Sequence, residues 1–441
     1  MTMPQTRHYE MKDSGVDWIG RMPRHWRIER AKFHFRQSFE RGNSTPELLA
    51  ATQKHGMYPQ RLLEGVVQVM AGTDLQQFKS VHINDFVISL RSFQGGFERS
   101  DYEGVCSPAY QVFHADKQYD VKWLKWFFKN DMFIDAMNAL TVGIREGRNI
   151  KFDDFANSLL PVPPLVEQTA IAAYLDEKCA TIDVIIAEAK ASIEEYKSWK
   201  ASVIFETVTK GLNPNAEMKD SGVEWIGEVP GGWAVERLKA MFSFGKGLPI
   251  TKEDLVEQGI PVISYGQIHA KFNTGVEVLP QLLRYVDAKW LESNANSLVS
   301  EGDFIFADTS EDMEGCGNCV YVDTLNEGAQ LFAGYHTITF KPKRSKHNKF
   351  LAYLFKSDAW RTQLRSRVGG VKLFSISRRM LNLATVILPP QNEQTAIAAY
   401  LDSKCAAIDG IILEKEELIK ELEHYKRSLI FEVVTGKRRV C

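Results

Sequence analysis

The chain has 441 residues, a formal net charge of −2, and a composition that is 44% hydrophobic and 25% charged. These values are typical of a globular protein, argue against a uniformly basic nucleic-acid-binding surface, and predict about two to four domains. No apolar run approaches the roughly 18 residues of a membrane span. The first residues lack an apolar signal core and the six cysteines are not densely spaced, so we expect a cytoplasmic protein without membrane contact.

Two phrases of the sequence occur twice, in the same order. Residues 11–20 return at 218–227 with a single change, Asp17 to Glu224, and residues 167–176 return unchanged at 393–402. The first pair is offset by 207 residues and the second by 226, so the segment between the phrases is 19 residues longer in the second copy. Repeated ends around unlike interiors predict one scaffold that carries two different recognition surfaces.

Each interior contains signals of both strands and helices. Short runs of Val, Ile, Phe and Tyr predict strands, and apolar residues at helical spacing predict helices. In the first interior we predict a strand at 86–90, a loop at 91–96, a strand at 110–113 and a helix at 121–140. In the second interior we predict strands at 261–265, 304–306 and 336–340 and a helix at 350–364. Trp18, Trp26, Trp225 and Trp233 stand among turn-forming residues at the beginning of each interior, and we interpret them as structural.

A long helix is predicted after each of the proline pairs 163–164 and 389–390. Apolar residues recur there with alternating steps of four and three, interrupted by Lys200, Lys415 and Lys426. This spacing is the a/d pattern of a coiled coil. We expect the two helices to pair with each other, antiparallel, because two copies in one chain have a high effective concentration. A dimerisation zipper is the alternative.

The predicted fold class is therefore α+β, with two globular domains joined by two long antiparallel coiled-coil helices in a pseudo-twofold internal repeat. The predicted boundaries are a tail (1–10), a first globular domain (11–160), a central spacer helix (161–211), a linker (212–217), a second globular domain (218–388), a C-terminal spacer helix (389–436) and a tail (437–441).

The sequence shows no complete catalytic or metal-binding motif. The glycine pairs at 95–96 and 369–370 lack the strand-turn-helix context of a nucleotide-binding loop. Asp183 and Lys190 fit a nuclease spacing but fall on the flanks of the coiled-coil helix. Cys316 and Cys319 form a CxxC pair without the two further ligands of a structural zinc site. We interpret the chain as non-catalytic, without a metal or cofactor of its own.

Basic and aromatic residues indicate binding to double-stranded DNA. Twelve lysines and arginines lie between residues 341 and 380 beside a single acid, Asp358, and they alternate with aromatic residues. Such cations neutralise phosphates, while polar side chains read base edges; a solvated helix face is the alternative. The candidate DNA-binding residues are Arg91, Ser92, Gln94, Arg99, Tyr110, Arg145, Arg148 and Lys151 in the first domain and Tyr265, Gln267, His269, Tyr335, Arg365, Arg367, Lys372 and Arg378 in the second.

The repeated phrases resemble motifs of the DNA-specificity subunits of Type I restriction-modification systems. Asp-Ser-Gly-Val-(Asp/Glu)-Trp-Ile-Gly, followed by Pro and Trp, is present twice. Pro-Pro-x-x-Glu-Gln-x-x-Ile-Ala-x-Tyr-Leu-Asp is present at 163–176 and 389–402. The stretch Gly104–Tyr110 also resembles a common sequence of target-recognition domains, and the likeness as a whole covers about residues 11–436.

The resemblance implies two target-recognition domains, each of which reads one half of a bipartite asymmetric DNA site. It also implies that the helices set the spacer and dock two methyltransferase subunits, which carry S-adenosylmethionine and the catalysis. Motor-nuclease subunits would join for cleavage. The interiors diverge within the family, so no base-reading residue is transferred by motif. The alternatives are a stand-alone DNA-binding regulator, a coiled-coil adaptor without DNA binding, and a fused nuclease or methyltransferase.

Overall fold

A computed structural model describes residues 9–42, 47–63, 75–90, 92–140, 150–343, 349–369 and 373–440. The chain divides into two compact units, the first formed by residues 1–190 and 415–441 and the second by residues 191–414. Each unit therefore contains one interior together with a part of each long helix. Within the described ranges, no helix has both the length and the apolar character that crossing a membrane requires.

The first unit is built around a four-stranded antiparallel sheet in the order β4-β11-β8-β9. Its strands are β1 (Met11–Asp13), β2 (Arg21–Pro23), β3 (Arg27–Arg30), β4 (Phe35–Ser38), β5 (Leu49–Thr52), β6 (Gly56–Pro59), β7 (Lys79–Val81), β8 (Phe86–Ile88), β9 (Glu98–Arg99), β10 (Gly104–Cys106), β11 (Gln111–Ala115) and β12 (Leu159–Val162). Its helices are α1 (Ser92–Gly95), α2 (Val121–Phe127), α3 (Asp131–Ala139), α4 (Phe152–Asn157) and the first part of α5 (Leu165–Lys210). The antiparallel pairs β1-β2, β3-β12, β5-β6 and β7-β10 complete it.

The second unit has a central antiparallel sheet with the corresponding order, β16-β25-β21-β23. Its strands are β13 (Met218–Asp220), β14 (Glu228–Pro230), β15 (Ala234–Arg237), β16 (Phe242–Lys246), β17 (Leu255–Val256), β18 (Ile260–Ile263), β19 (Arg284–Val286), β20 (Leu298–Val299), β21 (Phe304–Ala307), β22 (Thr309–Ser310), β23 (Cys319–Tyr321), β24 (Leu331–Ala333), β25 (Thr337–Pro342), β26 (Phe374–Ser375) and β27 (Thr385–Leu388). Its helices are α6 (Leu238–Met241), α7 (Tyr265–Ile268), α8 (Lys349–Lys356), α9 (Asp358–Arg365), α10 (Arg378–Leu383) and the first part of α11 (Gln391–Val434). A five-stranded sheet, β17-β19-β18-β24-β20, has no counterpart among the described residues of the first unit.

The same aromatic core lies beneath both central sheets. In each unit four buried phenylalanines meet, three from neighbouring strands of the central sheet and one from the helical segment packed on it. They are Phe35, Phe86, Phe113 and Phe128 in the first unit, and Phe242, Phe304, Phe340 and Phe355 in the second. The ring centroids of Phe86 and Phe128, and those of Phe304 and Phe355, are 5.0 Å apart. Burial of each ring contributes about 1.5–3 kcal/mol, so both units have a substantial core of one design.

The predicted strands are confirmed with small shifts, but both predicted interior helices are interrupted. The helix expected at 121–140 is α2 and α3, and the helix expected at 350–364 is α8 and α9. The breaks fall at Asn130 and Ser357, whose side chains accept hydrogen bonds from Met132 N and Trp360 N. Asn and Ser cap helices well because a side-chain oxygen satisfies a first-turn N–H. The predicted continuity of these two helices was therefore wrong.

Two smaller expectations also differ from the structure. Residues 92–95 of the predicted loop form the short helix α1. Tyr265, expected at the end of a strand, begins α7, because Ser264 and Gln267 form a capping box. Helices of four residues are too short to show a helical spacing of apolar residues, and they depend on local capping hydrogen bonds, so the sequence pattern does not predict them.

The two long helices begin and end where the sequence predicts. Helix α5 has 46 residues and α11 has 44, which corresponds to about 69 and 66 Å. Gln168 Nε2 donates to Pro163 O over 2.8 Å, and Gln394 Nε2 donates to Pro389 O over 2.8 Å. The repeated Gln therefore ties each proline pair to the first turn of its helix.

Within each unit the parts of α5 and α11 run antiparallel. In the first unit Lys426 Nζ lies 2.6 Å from Asp183 Oδ1, and Lys190 pairs with Glu423. In the second unit Lys200 Nζ lies 2.5 Å from Asp409 Oδ2. Ion pairs near the surface contribute about 0–1 kcal/mol, but a polar residue in an apolar seam selects the register. Two of the lysines that interrupt the apolar pattern thus align the helices, and the intramolecular pairing is confirmed.

In the first unit a buried tryptophan joins the ends of both long helices. Trp26 Nε1 donates to Glu167 Oε2, in the first turn of α5, over 2.9 Å. The end of α11 packs on the same ring, because a Cβ placed on Gly436 would lie 2.9 Å from Trp26 Cη2. His25 Nε2 lies 2.6 Å from Glu167 Oε1, and Tyr9 also donates to this carboxylate. The structural role predicted for Trp26 is confirmed.

The second unit repeats this contact with the helices exchanged. Trp233 Nε1 donates to Glu393 Oε2, in the first turn of α11, over 3.1 Å. A Cβ on Gly211, directly after α5, would lie 3.2 Å from Trp233 Cζ2. The repeated Trp, Glu and Gly therefore form the same contact in each of the two units.

We expect Glu167→Ala to lower the free energy of unfolding by about 1–3 kcal/mol, because it leaves the buried Trp26 N–H without an acceptor. Glu393→Ala should cost less, since among the described side chains only Trp233 donates to Glu393, whereas Glu167 also contacts His25 and Tyr9. Urea denaturation measures both, with Glu188→Ala on the exposed face of α5 as the control. Equal effects of Glu167→Ala and Glu188→Ala would contradict this role.

Gly436→Ala should destabilise the protein more than Gly15→Ala. Both glycines have a positive φ, +72° and +71°, so both substitutions incur the left-handed strain of about 1–2 kcal/mol. At Gly436 the new Cβ would also meet Pro23 Cγ at 2.4 Å, whereas Gly15 has no neighbour within 4 Å. The melting temperatures compare the two, and a Gly15→Ala protein that melts first would refute the packing contact.

Candidate nucleic-acid interface

The structure places twelve of the sixteen predicted DNA-binding residues. Arg91, Arg145, Arg148 and Lys372 lie outside the described residues. Five of the remainder belong to the first unit and seven to the second. Their contact with DNA stays a prediction.

Two of the first-unit residues serve internal contacts. Ser92 is 1% exposed, and its Oγ accepts a hydrogen bond from Ser89 N over 2.8 Å. Arg99 binds Asn84 Oδ1 over 3.0 Å and forms an ion pair with Asp101. Both side chains therefore position the segment around α1 and β9.

Three further residues of the first unit lie at its surface or partly so. Gln94 and Lys151 are exposed, and Tyr110 is half-buried. Gln111 Nε2 donates to Ile150 O, and Phe152 N donates to Gln111 Oε1. These two hydrogen bonds hold the segment of Lys151 beside the beginning of β11, so the chain segments that carry Tyr110 and Lys151 are adjacent.

The second unit contains a cavity of about 400 Å³ that two predicted residues line, Tyr335 and Arg378. Lys246, Asp308 and His336 also line it, and sequence reasoning missed these three. The cavity thus combines cations, one carboxylate and aromatic rings. Arg is suited to guanine and an acidic side chain to the cytosine amino group.

Tyr265 connects the cavity to helix α7. Its ring centroid lies 5.5 Å from that of Tyr335, 5.4 Å from that of His336 and 6.2 Å from that of His269. Tyr265, His269, Tyr335 and Arg378 are therefore neighbours in space, although they come from three separate segments of the sequence.

His269 and Gln267 hold helix α7 in place. His269 Nε2 lies 2.9 Å from Thr309 O, and Nδ1 lies 3.1 Å from Asn318 Nδ2. A carbonyl only accepts, so Nε2 carries the hydrogen and Nδ1 accepts from the amide. Gln267 Oε1 accepts from Ser264 N. These side chains position Tyr265.

The short strand pair β22-β26 carries Arg378 to the cavity. Thr309 lies opposite Ser375, and Ile376 N donates to Asp308 O over 2.8 Å. His336, 3.4 Å from Asp308 Oδ1, has a φ of +54°. A non-glycine residue in this region is strained, and such residues often occur at functional sites. The sequence pointed to this position only through the adjacent predicted residue Tyr335, because the backbone strain at His336 arises from the fold.

The basic run at 341–380 is used mostly inside the unit. Seven of its nine described cations bind carbonyl oxygens or carboxylates there; they are Lys341, Lys343, Lys349, Lys356, Arg361, Arg365 and Arg367. Arg365 binds Asp358 Oδ1 and Glu314 O, each over 2.8 Å. Arg367 lies over the Trp225 ring, 5.6 Å from its centroid. Arg378 and Arg379 remain exposed.

The two cysteines of the CxxC pair are buried thiols. Cys316 and Cys319 are each 1% exposed, and burial raises the pKa of Cys319 to about 12. Zinc requires thiolates, so this environment is unfavourable for it. Among the described residues, no group of three or more His, Cys, Asp or Glu side chains is arranged to hold a metal ion.

Residues 230–424 match the family described as "Type I restriction modification DNA specificity domain". The Type I restriction enzyme MjaVIII specificity subunit of Methanocaldococcus jannaschii is 25% identical over 287 residues, 65% of this chain and 63% of that protein. The Type I restriction enzyme EcoKI specificity subunit of Escherichia coli K12 is 22% identical over 48% of this chain and 44% of that protein. The chain thus spans less than two thirds of the length of these relatives. The family match and these relatives confirm the resemblance that the repeated motifs indicated.

Two solved structures share the fold. A chain from a structure described as the basis of complex assembly and conformational transition of the type I R-M system aligns with a TM-score of 0.70, covering 94% of this chain and 99% of that chain. The HsdS subunit from Thermoanaerobacter tengcongensis aligns with a TM-score of 0.53 over 94% of this chain and 98% of that chain. Both are 16% identical to this chain, and they confirm the predicted fold class.

Arg378→Ala should weaken binding to target DNA and reduce the slope of log affinity against log salt by about one, because a phosphate contact releases about one counterion. Arg379→Ala, the adjacent exposed arginine outside the cavity lining, is the matched control. Arg365→Ala should instead lower the melting temperature, since Arg365 ties α9 to Glu314. Fluorescence anisotropy at several salt concentrations decides; identical slopes for all three variants would exclude Arg378 from the interface.

Proposed function

We propose that this chain, a relative of Type I restriction specificity subunits, is the sequence-specific DNA-binding subunit of a Type I restriction-modification complex. Each unit would read one half of a bipartite asymmetric DNA site. The observation that carries the proposal is that the two units share one scaffold and differ in the parts that it presents. The central sheets have the same strand order, while the five-stranded sheet occurs in the second unit.

The proposed DNA-reading surface of the second unit is the cavity around Tyr335 and Arg378. The exposed Arg378 has the charge and reach for a phosphate or a guanine, and Asp308 has the acceptors for a cytosine amino group. In the first unit the corresponding candidates are Gln94, Tyr110 and Lys151. Apart from a tyrosine in each set, these side chains differ in chemistry from those of the second unit, as two different half-sites require.

The long helices would set the spacer and dock two methyltransferase subunits. The repeated residues support two docking events, because each unit presents the same phrase of helix beside the same tryptophan. Apolar side chains such as Val184, Trp199 and Leu413 stay exposed on these helices, which fits a partner surface. S-adenosylmethionine and catalysis would belong to the methyltransferases, motor-nuclease subunits would join for cleavage, and the complex would act on DNA in the cytoplasm.

Inserting four residues after Lys190 in α5 and four after Glu414 in α11 should lengthen the spacer and leave both half-sites unchanged. Four helical residues add about 6 Å, which is one to two base-pair steps of about 3.4 Å. Sequencing of methylated DNA from cells that carry the chain with its methyltransferase reads the site directly.

An insertion of four residues in the linker 212–217, outside both helices, is the control and should keep the original spacer. A helix variant that retains the spacer but methylates other bases would overturn this division of roles. Unchanged methylation without the chain would favour a stand-alone regulator or an adaptor.

A further inference from the structure

The two units contain cavities at equivalent positions beside the paired long helices. The first has a volume of about 810 Å³ and the second about 460 Å³. Five matching positions line both cavities. Four lie on the long helices at an offset of 226 residues, and the fifth, in the globular part, has an offset of 227. They are Asp183, Ile186, Lys426, Ile430 and Lys129 in the first unit, and Asp409, Ile412, Lys200, Ile204 and Lys356 in the second. The scaffold therefore builds this site twice.

The lysine of the globular part forms an ion pair with a carboxylate in the first unit, whereas in the second unit it forms none with the described carboxylates. Lys129 Nζ lies 2.6 Å from Oε1 of the buried Glu98. Lys356 Nζ donates to Thr274 O over 2.8 Å, and no described carboxylate pairs with it. Burial lowers the pKa of Lys356 to about 8, helped by the charge of Lys200 and opposed by that of Asp409.

The two units differ at the strand position of Glu98. Glu98 lies on β9, opposite Val87 of the central strand β8. In the second unit the equivalent strand β23 places Val320 opposite Ile305 of β21. Among the described residues the second unit thus keeps the lysine without an ion-pair partner of its own, and a half-buried ammonium in this state is stabilised by a further negative charge.

The remaining charged groups of the second cavity are already paired. Lys200 pairs with Asp409, Lys197 with Glu194, and Asp358 with Arg365. Apolar side chains line the same cavity; they are Ala201, Ile204, Phe205 and Ile412. An occupant that complements this surface is apolar and carries a single carboxylate.

We propose that this second cavity docks an apolar segment of a partner protein whose carboxylate pairs with Lys356. The inference rests on the proposed function in taking the methyltransferase subunit as that partner. In the first unit Glu98 supplies the carboxylate from within the chain. The two docking sites are therefore chemically unequal, and the partner's acid contributes affinity at the second site.

Native mass spectrometry of the full chain titrated with the methyltransferase expressed with it tests this. The wild-type chain should bind two copies. Lys356→Glu should weaken one of the two binding steps by about tenfold or more, because it places like charges together. Lys356→Met should weaken the same step less, and Lys356→Arg should retain both steps. Lys239→Glu reverses an exposed charge of the same unit outside the cavity lining and should bind two copies.

Unchanged thermal unfolding and DNA binding of Lys356→Glu establish that the second unit of this variant remains folded. If this variant is unfolded, the number of bound methyltransferase copies is measured with Lys356→Met instead. Two copies bound with wild-type affinity by these variants would overturn the inference and leave the proposed function intact. A wild-type chain that binds no methyltransferase would overturn both. Self-association of the chain alone that Lys356→Glu abolishes would identify a second copy as the occupant and refute the proposal.

Discussion

The contact on which the rest of the structure depends is the buried indole held between the beginning of one long helix and the end of the other. In the first unit Trp26 binds Glu167 of α5 and packs on Gly436 after α11. In the second, Trp233 binds Glu393 of α11 and contacts Gly211 after α5. A buried N–H without an acceptor costs about 1–3 kcal/mol, and only glycine leaves room for the ring. The repeated phrases are thus explained by one contact, made twice.

The arrangement separates what is common to the two units from what differs. The aromatic core, the central strand order and the helix starts are common, since they depend on buried apolar area and capping. The differences are the five-stranded sheet of the second unit and the polar groups at the surface: Arg378 and Asp308 beside a cavity in one unit, Gln94 and Lys151 in the other. The same contrast occurs beside the helices, where Glu98 has Val320 as its counterpart. A duplicated scaffold can therefore present two unlike surfaces on the same central sheet and aromatic core.

Charge in the sequence was a poor guide to charge at the surface. The run at 341–380 has a large positive excess, yet most of its described cations bind backbone carbonyls of their own unit, as Lys341 and Arg365 do. A carbonyl leaves no trace in a charge pattern, so such internal use is invisible before the chain is folded. The aromatic pairings around Tyr265 were equally hidden, because Tyr335 and His336 lie about 70 residues further along the chain.

The sequence by itself determined the internal repeat, the two long helices with their proline starts and glycine ends, and the α+β class of each unit. These features depend on local spacing: heptads, turn formers and short apolar runs carry them within a few residues. Only the tertiary structure decided where the interior helices break at Asn130 and Ser357, which of the described cations reach the surface, and that Lys356 binds the carbonyl of Thr274 without an ion pair to a described carboxylate. Each of these depends on partners far apart in the chain, and neither periodicity nor composition records such distances.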